Sequence, residues 1–268
     1  MDILKRNNVN VFGNGDKVML FAHGFGCDQN MWRYVVSAFK QNYKVVLFDH
    51  VGAGQSDLAA YDSKKYSLLE GYADDILDII NVLGLKDVIF VGHSVSSIIG
   101  IIASIKEPSV FSSLILVCPS PSYINDGDYV GGFSKEQIEE LLESLDSNHL
   151  GWSMSMAPVI MGNPDRKELG DELANSFCRT DPKIAREFAR TTFMTDKRTL
   201  LSQCTVPSLI LQCSNDVIAP LAVGDYMHDN LNKSKLTVMK ATGHCPNLSA
   251  PEETINAINN FLNNGNAK

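Results

Sequence analysis

The sequence offers no C-x-x-C pair: its six cysteines (Cys27, Cys118, Cys178, Cys204, Cys213 and Cys245) are scattered, several of them within strand-like apolar runs. They read as reduced thiols acting as small buried hydrophobes, which argues against a disulfide scaffold or a zinc knuckle and places the chain in the cytoplasm. Positive charge is in deficit, with 23 Lys and Arg against 31 Asp and Glu and a net charge of -8. An acidic chain repels phosphate backbones and anionic lipid, so neither nucleic acid nor a membrane surface is an expected partner. No apolar run is long enough to span a bilayer, and residues 1–6 do not read as a charged-then-apolar leader. No histidine–carboxylate cluster has metal-ligand spacing, so no metal is expected. Gly52 and Gly54 begin a G-x-G-x-x-G fingerprint that Asp57 leaves incomplete; no nucleotide cofactor is expected, and a tight loop under the site is the better reading.

What remains is apolar patterning. Of the 268 residues 44% are hydrophobic, enough for one α/β domain or two small ones. Residues 18–22 are a continuous apolar run, as in a strand buried on both faces, and 44–48, 88–91 and 113–117 read as further buried strands, with residues 9–12 as an edge strand or hairpin arm. Helices are predicted between them, near 30–39, over 69–83 and over 98–105. In the second, Leu69, Tyr72, Ala73, Ile76, Ile79, Ile80 and Leu83 share one face, and Asp74, Asp75 and Asp78 read as the solvated side. Alternating strands and helices imply a parallel sheet covered on both faces, an α/β fold.

Beyond residue 121 the alternation stops. Four helical segments follow, at 135–145, 149–160, 167–177 and 184–193, the last with Asp181 as N-cap and Pro182 at the first helical position. An all-helical insertion after a sheet strand reads as a lid over the carboxyl edge, where α/β ligand sites lie. Most of its large apolar residues, Phe133, Trp152, Met154, Met156, Met161, Phe177, Phe188 and Phe193, hold the helices together, with a few lining an apolar cavity. The alternation resumes with a strand at 207–213, a helix at 221–231, a strand at 235–239 and an amphipathic helix through Ile255, Ile258, Phe261 and Leu262, after which the Asn-rich end is expected to fray. The organisation is therefore core 1–121, lid 122–198 and core 199–268.

The candidate chemistry lies in three turns. Gly92-His93-Ser94-Val95-Ser96 joins a strand to a helix in the manner of G-x-S-x-G, which lifts a serine onto a sharp turn at the sheet's edge. Its last position is Ser96, small enough to stand for the glycine; an ordinary turn with an incidental serine is the alternative. Asp216 follows the 207–213 strand, and His244 follows the 235–239 strand. The order Ser, Asp, His suits a nucleophile activated by an imidazole that a carboxylate orients. The Val95 N–H and the Phe25 N–H, from His23-Gly24-Phe25-Gly26, are the candidate oxyanion donors. His93 beside the nucleophile reads as a local hydrogen-bonding group, and His50, His149 and His228 as structural or exposed.

With these residues placed, the chain resembles the α/β-hydrolase superfamily over nearly its whole length, and within it the group of the bacterial sigma-B regulator RsbQ and the plant karrikin and strigolactone receptors. The resemblance rests on Gly24-Phe25-Gly26-Cys27-Asp28-Gln29, Gly52-Ala53-Gly54, Tyr66-Ser67-Leu68-Leu69-Glu70-Gly71-Tyr72, Phe90-Val91-Gly92-His93-Ser94-Val95, Asn125-Asp126 with Gly131-Gly132-Phe133, and Gly243-His244-Cys245-Pro246. Cys27 and Cys245-Pro246 lean toward the regulator, and Ser96 toward the receptors. The resemblance implies an α/β-hydrolase fold with a mostly parallel sheet and a four-helix lid, and a triad of Ser94, Asp216 and His244. It implies a pocket walled by Phe25, Phe133, Trp152, Phe193 and Val217, to which His93 is added; Met156 stands where family pockets often carry an aromatic. The expected activity is hydrolysis of a small apolar ester or lactone, with slow turnover and a regulatory output read by an RsbP-like phosphatase. A ligand-sensing module in which binding alone matters is the alternative, and a hydroxynitrile lyase or perhydrolase would share the triad.

Overall fold

The computed structural model describes residues 2–265. Its strands are β1 (Asn10–Phe12), β2 (Lys17–Ala22), β3 (Tyr43–Leu47), β4 (Val88–His93), β5 (Phe111–Val117), β6 (Ser208–Asn215) and β7 (Ser234–Thr242). They form one sheet in the order β1-β3-β2-β4-β5-β6-β7, parallel throughout except where β1 runs antiparallel to β3. The helices are α1 (Ile3–Arg6), α2 (Arg33–Val36), α3 (Leu69–Val82), α4 (Val95–Lys106), α5 (Lys135–Ser147), α6 (His149–Met161), α7 (Lys167–Arg179), α8 (Pro182–Phe193), α9 (Leu221–Asn230), α10 (Pro246–Ser249) and α11 (Pro251–Gly265). Residues 266–268, the rest of the Asn-rich end, lie outside the described residues. No helix among the described residues is long and apolar enough to cross a membrane.

The strand periodicity divides the core. On β2, Met19 and Phe21 face a layer with α2 and α11, while Leu20 and Ala22 face one with α3 and α4. All six residues of β4 are buried, which is why its sequence is apolar without alternation. The helices α5–α8 sit between β5 and β6 and pack on the first layer through Ile138, Leu142, Trp152, Leu173, Phe177 and Phe193. Ser134 and Gln137 close a capping box on α5; Asp181 caps α8, with Pro182 in its first turn.

Two local expectations need correction, and a third is decided between its alternatives. The helix near residues 30–39 is a 3-10 turn (Gln29–Trp32) followed by the four-residue α2; its apolar spacing serves to bury Trp32 against Phe21, ring centroids 5.3 Å apart. Of the two readings of residues 9–12 the edge strand holds: β1 lies at the edge of the sheet, pairs with β3 and makes no hairpin with β2. The acids of α3 are not one solvated face. Asp74 is exposed and pairs with Lys106, but Asp75 is fully buried. Its carboxylate meets the Arg6 guanidinium at 3.0 Å and accepts from the Tyr66 hydroxyl at 2.8 Å and from Lys65. The partner Arg6 comes from α1, an element that four residues of weak pattern did not announce.

Removing one member of a buried charge group strands the others in a low-dielectric interior. Asp75→Ala is expected to lower the unfolding free energy by about 3–5 kcal/mol. Urea unfolding of parent and variant reads this as a lower midpoint at similar slope; an unmoved midpoint would show that Arg6 finds adequate solvation elsewhere.

Candidate active site

The turn between β4 and α4 holds Ser94 at φ 56° and ψ -122°, a conformation rarely adopted by residues with a side chain. The sheet enforces it: the Ser94 N–H donates to the Val117 carbonyl of β5 at 2.8 Å. Gly92 lets the helix approach, since a Cβ there would lie 2.7 Å from the Ser96 backbone. Ser96 is fully buried. Its hydroxyl donates to the His23 carbonyl and lies 2.7 Å from His50 Nε2, while the His50 N–H donates to His23 Nε2 at 3.0 Å. Ser96 thus links the elbow to the His23-Gly24-Phe25 turn after β2. His50 is a buried, neutral structural histidine, held well below its ordinary pKa by burial and by the neighbouring His23.

Asp216 lies just beyond β6 and His244 beyond β7, both at the carboxyl edge that Ser94 occupies. His244 Nε2 is 2.7 Å from Ser94 Oγ, and His244 Nδ1 is 2.7 Å from Asp216 Oδ2. The second carboxylate oxygen accepts from the Ile218 and Ala219 N–H groups at 2.8 and 3.2 Å. Burial alone would raise the Asp216 carboxyl, but His244 and these amides hold it below the usual carboxylate range. An ionised Asp216 accepts a hydrogen bond from Nδ1–H, which leaves Nε2 free to take the proton of Ser94. The histidine turn is pinned on both sides: the Gly243 N–H donates to Asn215 at 2.7 Å and the His244 N–H to Ile160 of α6 at 2.9 Å. Only glycine fits at 243, where φ is 79° and a Cβ would lie 1.8 Å from the Met161 carbonyl oxygen. His93 Nε2 donates to the His244 carbonyl at 2.7 Å; burial and the adjacent His244 push its pKa down to about 3, so it is a neutral strut.

A cavity of about 30 Å³ adjoins Ser94 and His244. Phe25, His93 and Phe193, expected on its wall, line it. Phe133, Trp152, Met156 and Val217 do not, which corrects the expectation. Trp152 stands one layer back, stacked on Phe177 at 5.7 Å and edge-on to Phe25 at 6.2 Å. Phe133 is tied by its N–H to the Tyr123 carbonyl at 3.1 Å, and Tyr123 presents its own ring to the cavity instead. Met156 packs half-buried against the helical core, and Val217 points to solvent while Ile218 turns inward. The wall residues that sequence reading missed include Tyr123, Ile160, Leu173, Phe177 and Thr192. The i, i+4 pair Leu173 and Phe177 on α7 was the available signal. The Tyr123 hydroxyl, 3.4 Å from Ser94 Oγ, had none.

The Phe25 and Val95 N–H groups donate to no protein acceptor among the described residues. Among the same residues, Cys118, Asp216 and His244 form the single cluster of metal-binding dimensions, with ligand atoms within 4.8 Å of one another. It fits a metal poorly: Asp216 and His244 engage each other, and burial raises the Cys118 thiol well above its ordinary pKa, away from the thiolate a metal takes.

A serine on a strained strand-to-helix turn, an imidazole beside it and a carboxylate behind define a Ser-His-Asp hydrolase site at the edge of a mostly parallel sheet. The chain belongs to the alpha/beta hydrolase family, whose profile matches residues 19–257. It is 42% identical over 248 residues to the karrikin insensitive 2 receptor IA of Petunia hybrida, covering 92% of this chain and 90% of that one. To the strigolactone esterase D14 of Arabidopsis thaliana it is 39% identical over 253 residues, covering 94% of each. A solved hydrolase from Oleispira antarctica superposes with a TM-score of 0.96 at 44% identity, covering 98% of this chain and 97% of that one.

Proposed function

We propose that the protein hydrolyses a small, apolar ester or lactone through an acyl-enzyme on Ser94. Ser94 Oγ attacks the carbonyl while His244 Nε2 takes its proton, and His244 returns that proton to the leaving oxygen. Asp216 fixes the tautomer and stabilises the imidazolium. The free N–H groups of Phe25 and Val95 face the developing oxyanion. Water, deprotonated by His244, then releases the acid. The observation that carries this reading is the unbroken chain of 2.7 Å contacts from Ser94 through His244 to Asp216. Relatives named as esterases favour ester chemistry.

A receptor reading draws on relatives named as receptors and on the small volume of the cavity. A volume of about 30 Å³ holds a water, not a ligand, so binding must displace aromatic rings and repack the helices above them. A regulatory output of that repacking, with an RsbP-like phosphatase as partner in sigma-B signalling, rests on motif resemblance, as does a cytoplasmic location on the cysteine pattern.

Phe177 is the ring to move: it lies against Gly26, where a Cβ would be 2.3 Å from it, and packs on Phe25 at 5.8 Å. The parent is expected to hydrolyse 4-nitrophenyl acetate and butanoate and to discriminate against the octanoate. Phe177→Ala is expected to raise the octanoate-to-acetate ratio of kcat/KM by about tenfold or more, since one truncated ring opens a cavity of several methylenes. Absence of hydrolysis of any ester by the parent, together with no labelling by a fluorophosphonate, would remove the hydrolase reading.

A further inference from the structure

Two buried polar atoms of cavity-lining residues, Thr192 Oγ1 and His93 Nδ1, have no hydrogen-bond partner among the described residues, and Thr192 Oγ1 is the hydroxyl of the pair. Thr192, in the last turn of α8, is 1% exposed and lines the cavity, yet its Oγ1 has no hydrogen-bond partner among the described residues. Its neighbours in sequence are occupied. Thr191 donates to the Tyr66 carbonyl at 3.2 Å, and the Phe193 ring packs on Tyr123 and Phe25 at 5.1 and 5.7 Å. The other hydroxyl and imidazole groups of the wall are engaged or, at His93 Nδ1, unpartnered but shielded. Ser94 and His244 bond each other, and Tyr123 approaches Ser94. His93 Nδ1 is covered by Gly24, where a Cβ would lie 2.5 Å from it. Thr192 Oγ1 is therefore the one free hydroxyl that the cavity offers a ligand besides the nucleophile's own surroundings.

A buried hydroxyl without a partner is costly, and a valine of the same shape would avoid the cost. We infer that Thr192 is a specificity-determining residue: its hydroxyl bonds a second oxygen of the substrate, set apart from the carbonyl that Ser94 attacks. The substrate class narrows accordingly to small esters or lactones that carry an ether, ring or keto oxygen in an otherwise apolar frame. The hydroxyl donates and the substrate oxygen accepts; an all-carbon analogue leaves Oγ1 unpaired in the complex. This assignment rests on the hydrolase reading above.

The test compares two esters that differ by one atom, 4-nitrophenyl butanoate and 4-nitrophenyl methoxyacetate, in the full-length parent and in Thr192→Val and Thr192→Ser. The ratio of kcat/KM, methoxyacetate to butanoate, is taken for each protein, so that the esters' intrinsic reactivities cancel between proteins. Loss of one buried hydrogen bond is expected to lower this ratio by about tenfold in Thr192→Val, with the larger loss on the methoxyacetate and with recovery in Thr192→Ser. A merely structural role would lower both esters together and leave the ratio unmoved. A ratio within about twofold of the parent's in Thr192→Val overturns the assignment while the hydrolase reading stands. Should Thr192→Val not fold, Thr192→Ala gives the same comparison. A parent that turns over neither ester removes the hydrolase reading and this assignment with it.

Discussion

Ser94→Ala is expected to lower kcat on 4-nitrophenyl butanoate on the order of 10⁶-fold and to abolish covalent labelling by a fluorophosphonate. The argument is chemical and local. Alanine keeps the Cβ, so the turn at φ 56° stays as strained as in the parent, and the Ser94 N–H bond to Val117 is unaffected. Only Oγ is lost, with its 2.7 Å contact with His244 and its 3.4 Å contact with the Tyr123 hydroxyl. Activity and stability therefore separate: the variant unfolds close to the parent, with its chemistry gone. Mass spectrometry of the labelled protein reads the outcome directly. Equal labelling of parent and variant would mean that another nucleophile does the work and that the proposed acyl-enzyme is wrong.

Asp216→Asn is expected to cost about 10⁴-fold in kcat with little change in KM. Asp216 does not line the cavity, so ground-state binding has no direct claim on it. Its part is to accept a hydrogen bond from His244 Nδ1–H at 2.7 Å. An amide in its place presents an N–H to Nδ1 and moves the imidazole proton to Nε2, where it faces Ser94 and blocks proton transfer. Two backbone amides, of Ile218 and Ala219, still fix the side chain's carbonyl oxygen, so the geometry survives while the tautomer does not. Steady-state kinetics of the variant check this; a kcat within about tenfold of the parent's would show that His244 keeps its tautomer without help.

Much of this site was legible in the sequence because its parts sit on short, stereotyped turns. The unbroken apolar run before Gly92, the small residues around Ser94, and the order of Asp216 and His244 after later strands each follow from local sterics and sheet topology. The helices above the sheet were readable for the same kind of reason: a capping serine, an aspartate before a proline, apolar residues at helical spacing. What could not be read were facts settled by long-range contact. Asp75 looked like a surface acid because nothing near it in sequence reveals Arg6, which reaches it from α1, far earlier in the chain. The cavity wall failed similarly. Whether Trp152 or Phe177 faces Ser94 depends on how two helices roll against each other, and Val217 and Ile218 differ by one position along a turn whose amides Asp216 dictates. Resemblance placed pocket residues by motif, but a change of packing partner one layer behind redirects a side chain without altering the motif that carries it.

The Ser96 hydroxyl has an evolutionary consequence. Because it is shared between the His23 carbonyl and the His50 ring, three positions distant in the chain are tied into a single polar unit. Drift at 96 toward glycine would orphan two buried groups at once, and a new residue at 50 would have to arrive with a new occupant opposite it. A glycine at 96 is therefore tolerated best when the groups it unpairs change with it, so the nucleophile's surroundings are redesigned in sets instead of residue by residue.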